Sequence, residues 1–311
     1  AGLSSVSVSA TNLTILSIDA TQAVTLNPIT SGTVGLISGA TTTLTKGAAG
    51  VLNLTAANTF GGNTTITGGT LKLSGSGSLG AGTYAGDIAL SAGTLLQDSS
   101  SADQTWSGVI SGAGSVLKDT SNSVLTLAGA NTLSGNVTVN VGTVVVTQNN
   151  GLGNNAGQAT VASGAVLDIQ NAAIGLETLN LHGGTLRVST GSSSWAGPVN
   201  LGAASTLSTT GTAMTFSGLV DDNGYGITLN GAGDFTLSNA GNTISTVATA
   251  AGATIGSLTM KNSVSLAVGL VTATNNVTIA NTADLTLMSG QGITTTNGNI
   301  VLAGTQFINA A

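Results

Sequence analysis

One segment of this chain occurs twice, and the repetition restricts the possible folds more than any other feature of the sequence. Residues 52–73 align with residues 125–146 without a gap, and 10 of the 22 paired positions are identical. A third, partial copy covers residues 231–244. Because a repeated unit of this size buries its apolar face by stacking on its neighbours, the repeats predict a fold that grows in one direction.

Apolar and polar residues alternate with a period of two along most of the chain, as in residues 137–141. Each alternating run is short and ends at Gly, Asn, Asp or Ser, which is typical of half-buried strands between turns. Helical spacing of apolar residues is not sustained, and the 46 glycines disfavour helices. Only 3% of the residues are aromatic, so the core must consist of Val, Ile, Leu and Ala. We therefore predict an all-β chain.

Short strands at this spacing also occur in sandwiches and antiparallel barrels. The staggered repeats, the few Asn-Gly dipeptides and the scarcity of aromatic residues favour a right-handed parallel β-helix instead. With roughly 20 to 25 residues per coil, the chain would hold about 13 to 15 coils. We expect a single continuous β-helix over residues 1–311 that is part of a longer protein.

The chain carries five Lys or Arg against eleven Asp or Glu, and its net charge is −6. Five basic residues cannot neutralise a phosphate backbone, so nucleic acid is excluded as a partner. No apolar run is long enough to span a bilayer, and we predict no transmembrane segment in this chain. The low charge suits the predicted fold, because a column of equal charges stacked at about 5 Å would repel itself.

The first copy of the repeat reads NTFGGNTTITGGTL at residues 58–71. This stretch resembles the autotransporter-associated β-strand repeat, in which an Asn-Thr-aromatic triplet is followed by spaced glycines and a closing Gly-Gly-Thr-Leu. In the second copy Leu133 replaces the aromatic residue and Val141 replaces one glycine. Residues 276–279 and 298–304 are similar to haemagglutinin-type exoproteins of the two-partner secretion class.

The resemblance implies a bacterial surface or secreted β-helix that is exported across the outer membrane, and therefore an extracellular location. It carries over no catalytic or binding residues. It also divides the expected β-helix into N-terminal coils (1–44), autotransporter-type repeats (45–190), a divergent repeat (191–254) and haemagglutinin-like coils (255–311).

The best metal candidate is the segment Asp221, Asp222, Asn223, which a flexible glycine follows. Paired carboxylates and an amide oxygen suit a hard cation such as Ca²⁺. The alternative interpretation is a protruding turn, since Asp, Asn and Gly are also the usual turn residues. We expect no other cofactor.

Two aromatic residues are candidates for stacking on a sugar, namely Trp195 in a loop-like Ser-rich stretch and Tyr225. Lys72 and Arg187 occupy equivalent places in two Gly-Gly-Thr-Leu copies, so both should face outwards, where they could contact an acidic glycan. The alternative for these two cations is a solvated strand face. Trp106 aligns with Phe216, which favours a position in the core or at a corner of a coil.

The sequence contains few residues that could act as a catalytic acid, base or nucleophile in one site. His182 is the only histidine, and the acidic residues are scattered along the chain. Polysaccharide-cleaving β-helices depend on clusters of acidic and basic residues on one face, so such an enzyme is the third hypothesis and we predict a non-enzymatic protein.

The leading hypothesis is an extracellular structural or adhesive β-helix that acts as a stiff spacer or a self-assembling filament unit. The second is a carbohydrate-binding adhesin with a site on a lateral face. The expected partners are further copies of the chain, head to tail or side by side, and a glycan or cell-surface receptor.

Overall fold

The structure is a computed structural model that describes the backbone of residues 3–310 and the side chains of residues 32–310. The chain divides into two compact units, residues 1–159 and 160–311, which are described separately. Counted over both units, the parallel strands form a β-solenoid of about 13 turns. The predicted all-β parallel solenoid is therefore confirmed, whereas the expected boundaries within it stay a prediction.

The first unit contains fourteen strands and one short 3-10 turn among its described residues, and a fifteenth strand begins at its end. They are β1 (Leu3–Ser38), β2 (Thr43–Lys46), β3 (Val51–Leu54), β4 (Thr64–Ile66), β5 (Thr70–Gly75), the 3-10 turn (Gly80–Gly82), β6 (Thr83–Tyr84), β7 (Ile88–Leu90), β8 (Leu95–Ser100), β9 (Gln104–Trp106), β10 (Ile110–Gly112), β11 (Ser115–Lys118), β12 (Val124–Leu127), β13 (Val137–Val139), β14 (Thr143–Val146) and β15 (Gln158–Ala162). The long strand β1 pairs in parallel with both β2 and β3.

The core of the first unit is a set of apolar columns, because strands in successive turns pair in parallel and in register. One column runs through the strands β3, β5, β8, β11 and β13, and each of its side chains is buried: Leu52, Leu71, Leu96, Val116 and Val137. The alternating sequence places every second side chain inside, and the parallel register places like residues next to one another.

The second unit continues the strand series. Its strands are β16 (Val166–Ile169), β17 (Ala173–Ile174), β18 (Thr178–His182), β19 (Thr185–Val188), β20 (Ser192–Trp195), β21 (Val199–Ala203), β22 (Ser205–Thr209), β23 (Ala213–Phe216), β24 (Val220–Asp221), β25 (Ile227–Gly231), β26 (Asp234–Leu237), β27 (Thr246–Thr249), β28 (Leu258–Asn262), β29 (Leu266–Val268), β30 (Val271–Ala273), β31 (Val277–Asn281), β32 (Leu285–Leu287), β33 (Ile293–Thr295), β34 (Ile300–Ala303) and β35 (Phe307–Asn309). Buried Leu167, Leu186, Leu207 and Leu229 form one of its columns.

The Asn-Thr pair of the repeat bonds to the turns on both sides of it. Buried Asn58 accepts a hydrogen bond from the backbone N–H of Ile37 at 2.7 Å and donates one to the carbonyl of Ser78 at 3.0 Å. The N–H of Thr59 donates to the carbonyl of Ile37 at 3.0 Å. The same three bonds recur in the other two copies, where the asparagines are Asn131 and Asn242. The motif therefore satisfies buried backbone groups that a corner would otherwise leave unpaired.

Some corners contain glycines because the preceding turn leaves no room for a side chain. A Cβ atom on Gly108 would lie 2.2 Å from the carbonyl oxygen of Gly86, and one on Gly129 would lie 2.1 Å from that of Gly108. These distances are far below van der Waals contact. The backbone carbonyl of one turn thus requires glycine at the same corner of the following turn.

Candidate functional site

The predicted metal segment lies in a turn that the carboxylate of Asp222 holds together. Asp222 is buried; its Oδ1 accepts a hydrogen bond from the N–H of Gly224 at 2.8 Å. Its Oδ2 accepts bonds from the N–H and the hydroxyl of Ser245, both at 2.7 Å. Longer bonds to the N–H groups of Gly226 and Thr246 complete the set. Five donors therefore surround this carboxylate, and both of its oxygens are engaged.

The other two predicted ligands also have partners within the protein. Asp221 accepts a hydrogen bond from the N–H of Asn223 at 3.0 Å, and the amide of Asn223 donates to the carbonyl of Leu201 at 2.9 Å. Asn223 has a φ of +48°, which is a turn conformation that Asn tolerates. These contacts fit the protruding turn better than the Ca²⁺ site. No group of three or more His, Cys, Asp or Glu that could hold a metal occurs in the part of the chain that the structure describes.

Tyr225 lies on this turn and faces solvent. It is 53% exposed, and its N–H donates to the carbonyl of Asp222 at 2.9 Å. Because Asp222 is anchored by five hydrogen bonds, the backbone that carries Tyr225 is well fixed. An exposed aromatic ring on a fixed backbone is a suitable platform for stacking.

Trp195 is placed differently from the prediction. It is the last residue of strand β20 rather than part of a loop, and it is completely buried. Its indole N–H donates to the carbonyl of Glu177 at 2.8 Å, and its backbone pairs with that of Phe216 in the next turn. The predicted loop position is wrong because Ser193 and Trp195 alternate inwards, so the Ser-rich stretch is a strand. Trp106 is buried, as its alignment indicated.

Lys72 and Arg187 are both partly exposed, but their surroundings differ. Lys72 lies on β5 between Asn53 and Gln97 of the adjacent turns. Arg187 is 36% exposed, and its Nη2 lies 2.9 Å from Oδ2 of buried Asp168. The guanidinium of Arg187 is thus bound to an internal carboxylate, which reduces what it offers to an acidic glycan.

A shallow groove of about 450 Å³ lies on the second unit. It is lined by uncharged residues, among them Ala251, Gly269, Leu270, Met288 and Gln291. Gly269 and Leu270 of this lining form the short connection between β29 and β30. No residue of this groove stands out in the sequence, although the unequal spacing of the last strands is a signal for it.

A charged pair that the sequence pattern alone does not reveal lies inside the first unit. Asp98 on β8 and Lys118 on β11 are directly opposite each other in adjacent turns, and both side chains are fully buried. The Nζ of Lys118 lies 3.9 Å from Oδ2 of Asp98 and donates a hydrogen bond to the carbonyl of Ser121 at 3.0 Å. Oδ1 of Asp98 accepts a hydrogen bond from the N–H of Ser100 at 3.1 Å.

Burial changes the acidity of both members of this pair. It raises the pKa of Asp98 to about 6, against the opposing effects of Lys118 and the N–H of Ser100. It lowers the pKa of Lys118, while the charge of Asp98 and, further down the order, those of Asp119 and Asp103 act the other way. Both shifts favour the uncharged forms.

A second buried lysine precedes the first copy of the repeat. Lys46 is fully buried, and its Nζ donates hydrogen bonds to the carbonyls of Gly47 at 2.6 Å, Ala48 at 2.9 Å and Gly68 at 3.0 Å. Burial lowers its pKa. The signal for both lysines was the period-two pattern itself, because Lys46 and Lys118 each fall on the inward phase of a strand.

Comparison with known proteins gives one partial match. No protein-family model matches the chain, and no solved structure matches it. A stretch of 77 residues, 25% of the chain, is 44% identical to a protein described as "Adhesin BmaC autotransporter" from Brucella suis biovar 1 (strain 1330). The match covers 2% of that adhesin, so the chain corresponds to a small part of its length. The chain is thus a parallel β-solenoid with a segment similar to an autotransporter adhesin.

No helix among residues 3–310 is long and apolar enough to cross a membrane.

Proposed function

We propose that the chain is a non-enzymatic structural segment of a bacterial exoprotein, located outside the cell, where it acts as a stiff spacer or adhesive stalk. The observation that carries this proposal is the repeated use of polar side chains between turns. The buried asparagines of the repeat, Asn58, Asn131 and Asn242, bond to neighbouring turns instead of lining a site. The partial similarity to an adhesin supports the same class of protein.

The mechanism is mechanical. A force that separates two adjacent turns must break the parallel backbone hydrogen bonds between their strands together with the side-chain bonds that join the turns. Because the asparagine bonds are buried, water does not replace them until the turn opens. Resistance of this kind is what a spacer between a cell and its target requires.

Pulling single molecules by their two ends tests the stalk. We expect unfolding in discrete steps. The unfolding force should be lower in the Asn131→Ala variant and unchanged in the Asn136→Ala variant, whose side chain is exposed. Extension without steps, at the force needed for an unstructured chain, would contradict the proposal.

Location is tested separately. Antibodies against the chain should label intact, unpermeabilised host cells, and external protease should remove the label. Labelling that requires permeabilisation would contradict export. Self-association remains part of this proposal, and sedimentation at increasing concentration tests it: a single monomeric species throughout would exclude a filament unit.

The alternative function is carbohydrate binding on a lateral face, and the exposure of Tyr225 favours it. A glycan array probed with the wild-type chain and with Tyr225→Ala tests this function. The matched control is Leu219→Ala, which removes another exposed apolar side chain from the same unit. Loss of a glycan signal in Tyr225→Ala alone supports the adhesin; no signal, or one that survives the substitution, excludes this site.

A further inference from the structure

We propose that Lys118 and Asp98 form an intramolecular amide bond between Nζ and Cγ, which links the adjacent turns that carry β11 and β8. The inference depends on the position of the two side chains and is independent of the proposed function. They are opposite each other in register, both are fully buried, and their charged atoms lie 3.9 Å apart.

The surroundings of the pair exclude water. In the same column, Leu73 pairs with Asp98 on one side and Val139 pairs with Lys118 on the other, and both apolar side chains are buried. A carboxylic acid and an amine held in a dry site condense more readily than in water, because bulk water does not compete for the carbonyl carbon. Reacting groups held in place also reach effective concentrations of about 10⁵–10⁸ M when their geometry is favourable.

The hydrogen bonds leave the reacting atoms available to each other. Oδ2 of Asp98, the oxygen nearest Lys118, accepts no hydrogen bond from any residue that the structure describes. Lys118 donates to one backbone carbonyl, that of Ser121, so the capacity of its Nζ is not exhausted.

Condensation needs the neutral acid and the neutral amine, and the site favours both. Burial raises the pKa of Asp98 to about 6 and lowers the pKa of Lys118. Of the other charged groups that act on the pair, Asp103 is exposed and Asp119 is half-buried. Their negative charges oppose the neutral amine but favour the neutral acid.

The step balances without an oxidant or a reductant. One proton moves from the ammonium of Lys118 to Oδ2 of Asp98, which gives an amine and a carboxylic acid. The lone pair of Nζ then attacks Cγ and the N–C bond forms. The C–Oδ2 bond breaks, and Oδ2 leaves as water with its own proton and one further proton from Nζ.

Lys46 provides the matched control. It is equally buried and belongs to the same unit, but its three hydrogen bonds go to backbone carbonyls. A backbone carbonyl offers no leaving group to an amine under these conditions, so Lys46 should remain a free amine.

The test is the intact mass of the purified, folded chain. We expect a mass about 18 Da below the sequence mass, which corresponds to the loss of one water. The deficit should disappear in Lys118→Arg, which keeps the positive charge but lacks the amine, and should persist in Lys46→Arg. If Lys118→Arg does not fold, the mass of the Asp98→Asn variant tests the link instead. Its side-chain amide would condense with Lys118 and lose ammonia, which gives a mass deficit of about 17 Da.

Digestion with trypsin after denaturation distinguishes the link from a cyclic imide at Asp98, which has the same mass deficit. The link blocks cleavage after Lys118, so one peptide covers residues 73–187 and fragmentation spectra join Asp98 to Lys118. An imide leaves that cleavage intact. The full sequence mass, or normal cleavage after Lys118, would overturn the proposal.

Discussion

Lys46 and Lys118 occupy corresponding places ahead of the two copies of the repeat, yet they are stabilised in different ways. Each ends a strand on its inward phase, and each is fully buried. Lys46 is surrounded by three backbone carbonyls, whereas Lys118 has one carbonyl and a carboxylate in the adjacent turn.

The difference originates in the turns that follow the two lysines. Four residues separate Lys46 from β3, and five separate Lys118 from β12. The shorter turn folds two of its carbonyls back onto its lysine, and the longer turn supplies only that of Ser121. The turn length thus affects how many carbonyls reach the lysine, and the register partner in the preceding turn, Asp98 for Lys118 but Leu26 for Lys46, decides whether a carboxylate is available.

The largest expected effect comes from replacing Lys118, because its partners differ from those of Lys46. Lys118→Met should lower the free energy of unfolding by about 3 kcal/mol or more, because it removes a link that closes a loop and leaves Asp98 without its partner. Lys46→Met should lower it by about 1–3 kcal/mol, since it leaves backbone carbonyls unsatisfied. Denaturant unfolding measures both, and equal losses would contradict the distinction.

Replacing the asparagines tests what the two copies share. Asn58→Ala and Asn131→Ala should each lower the free energy of unfolding by about 2–3 kcal/mol, because each leaves a buried backbone N–H of the preceding turn unpaired and removes a hydrogen bond to the following turn. Asn136→Ala is the control, since its side chain accepts a bond from Gln158 at an exposed position. A marked inequality between Asn58→Ala and Asn131→Ala would show that the copies also differ here.

A smaller effect should appear when the pH is changed. In Lys118→Arg, Asp98 stays titratable, and its pKa in the folded state lies above its ordinary value of 3.8. The folded state then binds the proton more tightly, so the contribution of Asp98 to stability is greatest below about pH 4 and is lost as the pH rises through about 6. We expect this decrease in Lys118→Arg and its absence from the linked wild-type chain. Asp98→Asn in the Lys118→Arg background should remove it, and the same decrease in the wild type would argue against the link.

The smallest effect is expected for the outward lysine of the same unit. Lys72 is half-buried on β5, and Lys72→Met should change the free energy of unfolding by no more than about 0.5 kcal/mol. Thermal unfolding of this variant beside Lys46→Met gives the reference for an exposed position. A loss as large as that of Lys46→Met would mean that burial is not what separates these lysines.

The architecture could be predicted from the sequence because the same alternation of apolar and polar residues is repeated in every turn. Leu52, Leu71 and Leu96 follow the alternation that defines the strands, and their stacking confirms the parallel arrangement. Local composition was less reliable: the serines before Trp195 resembled a loop, although the inward alternation with Ser193 placed the ring in the core.

The candidate sites were harder to predict, because they depend on which residue lies one turn away. Nothing local to Asp222 shows that Ser245 will supply two of its hydrogen bonds. In the same way, Asp98 and Lys118 become opposite each other only once the register of β8 and β11 is known. The alternation in a single sequence shows which residues of each strand face inwards. The exact lengths of the turns decide which residues of adjacent turns lie opposite each other.

The stacked corner glycines have a consequence for how such a chain can change its length. Gly86, Gly108 and Gly129 are separated by 22 and 21 residues, and each later glycine fits against the one before it. Deleting or duplicating one complete turn brings a glycine against another glycine and preserves the fit, whereas deleting a few residues places a side chain against a carbonyl. Genetic exchange between such repeats should therefore be tolerated in whole turns, and the number of turns is free to vary while the cross-section is conserved.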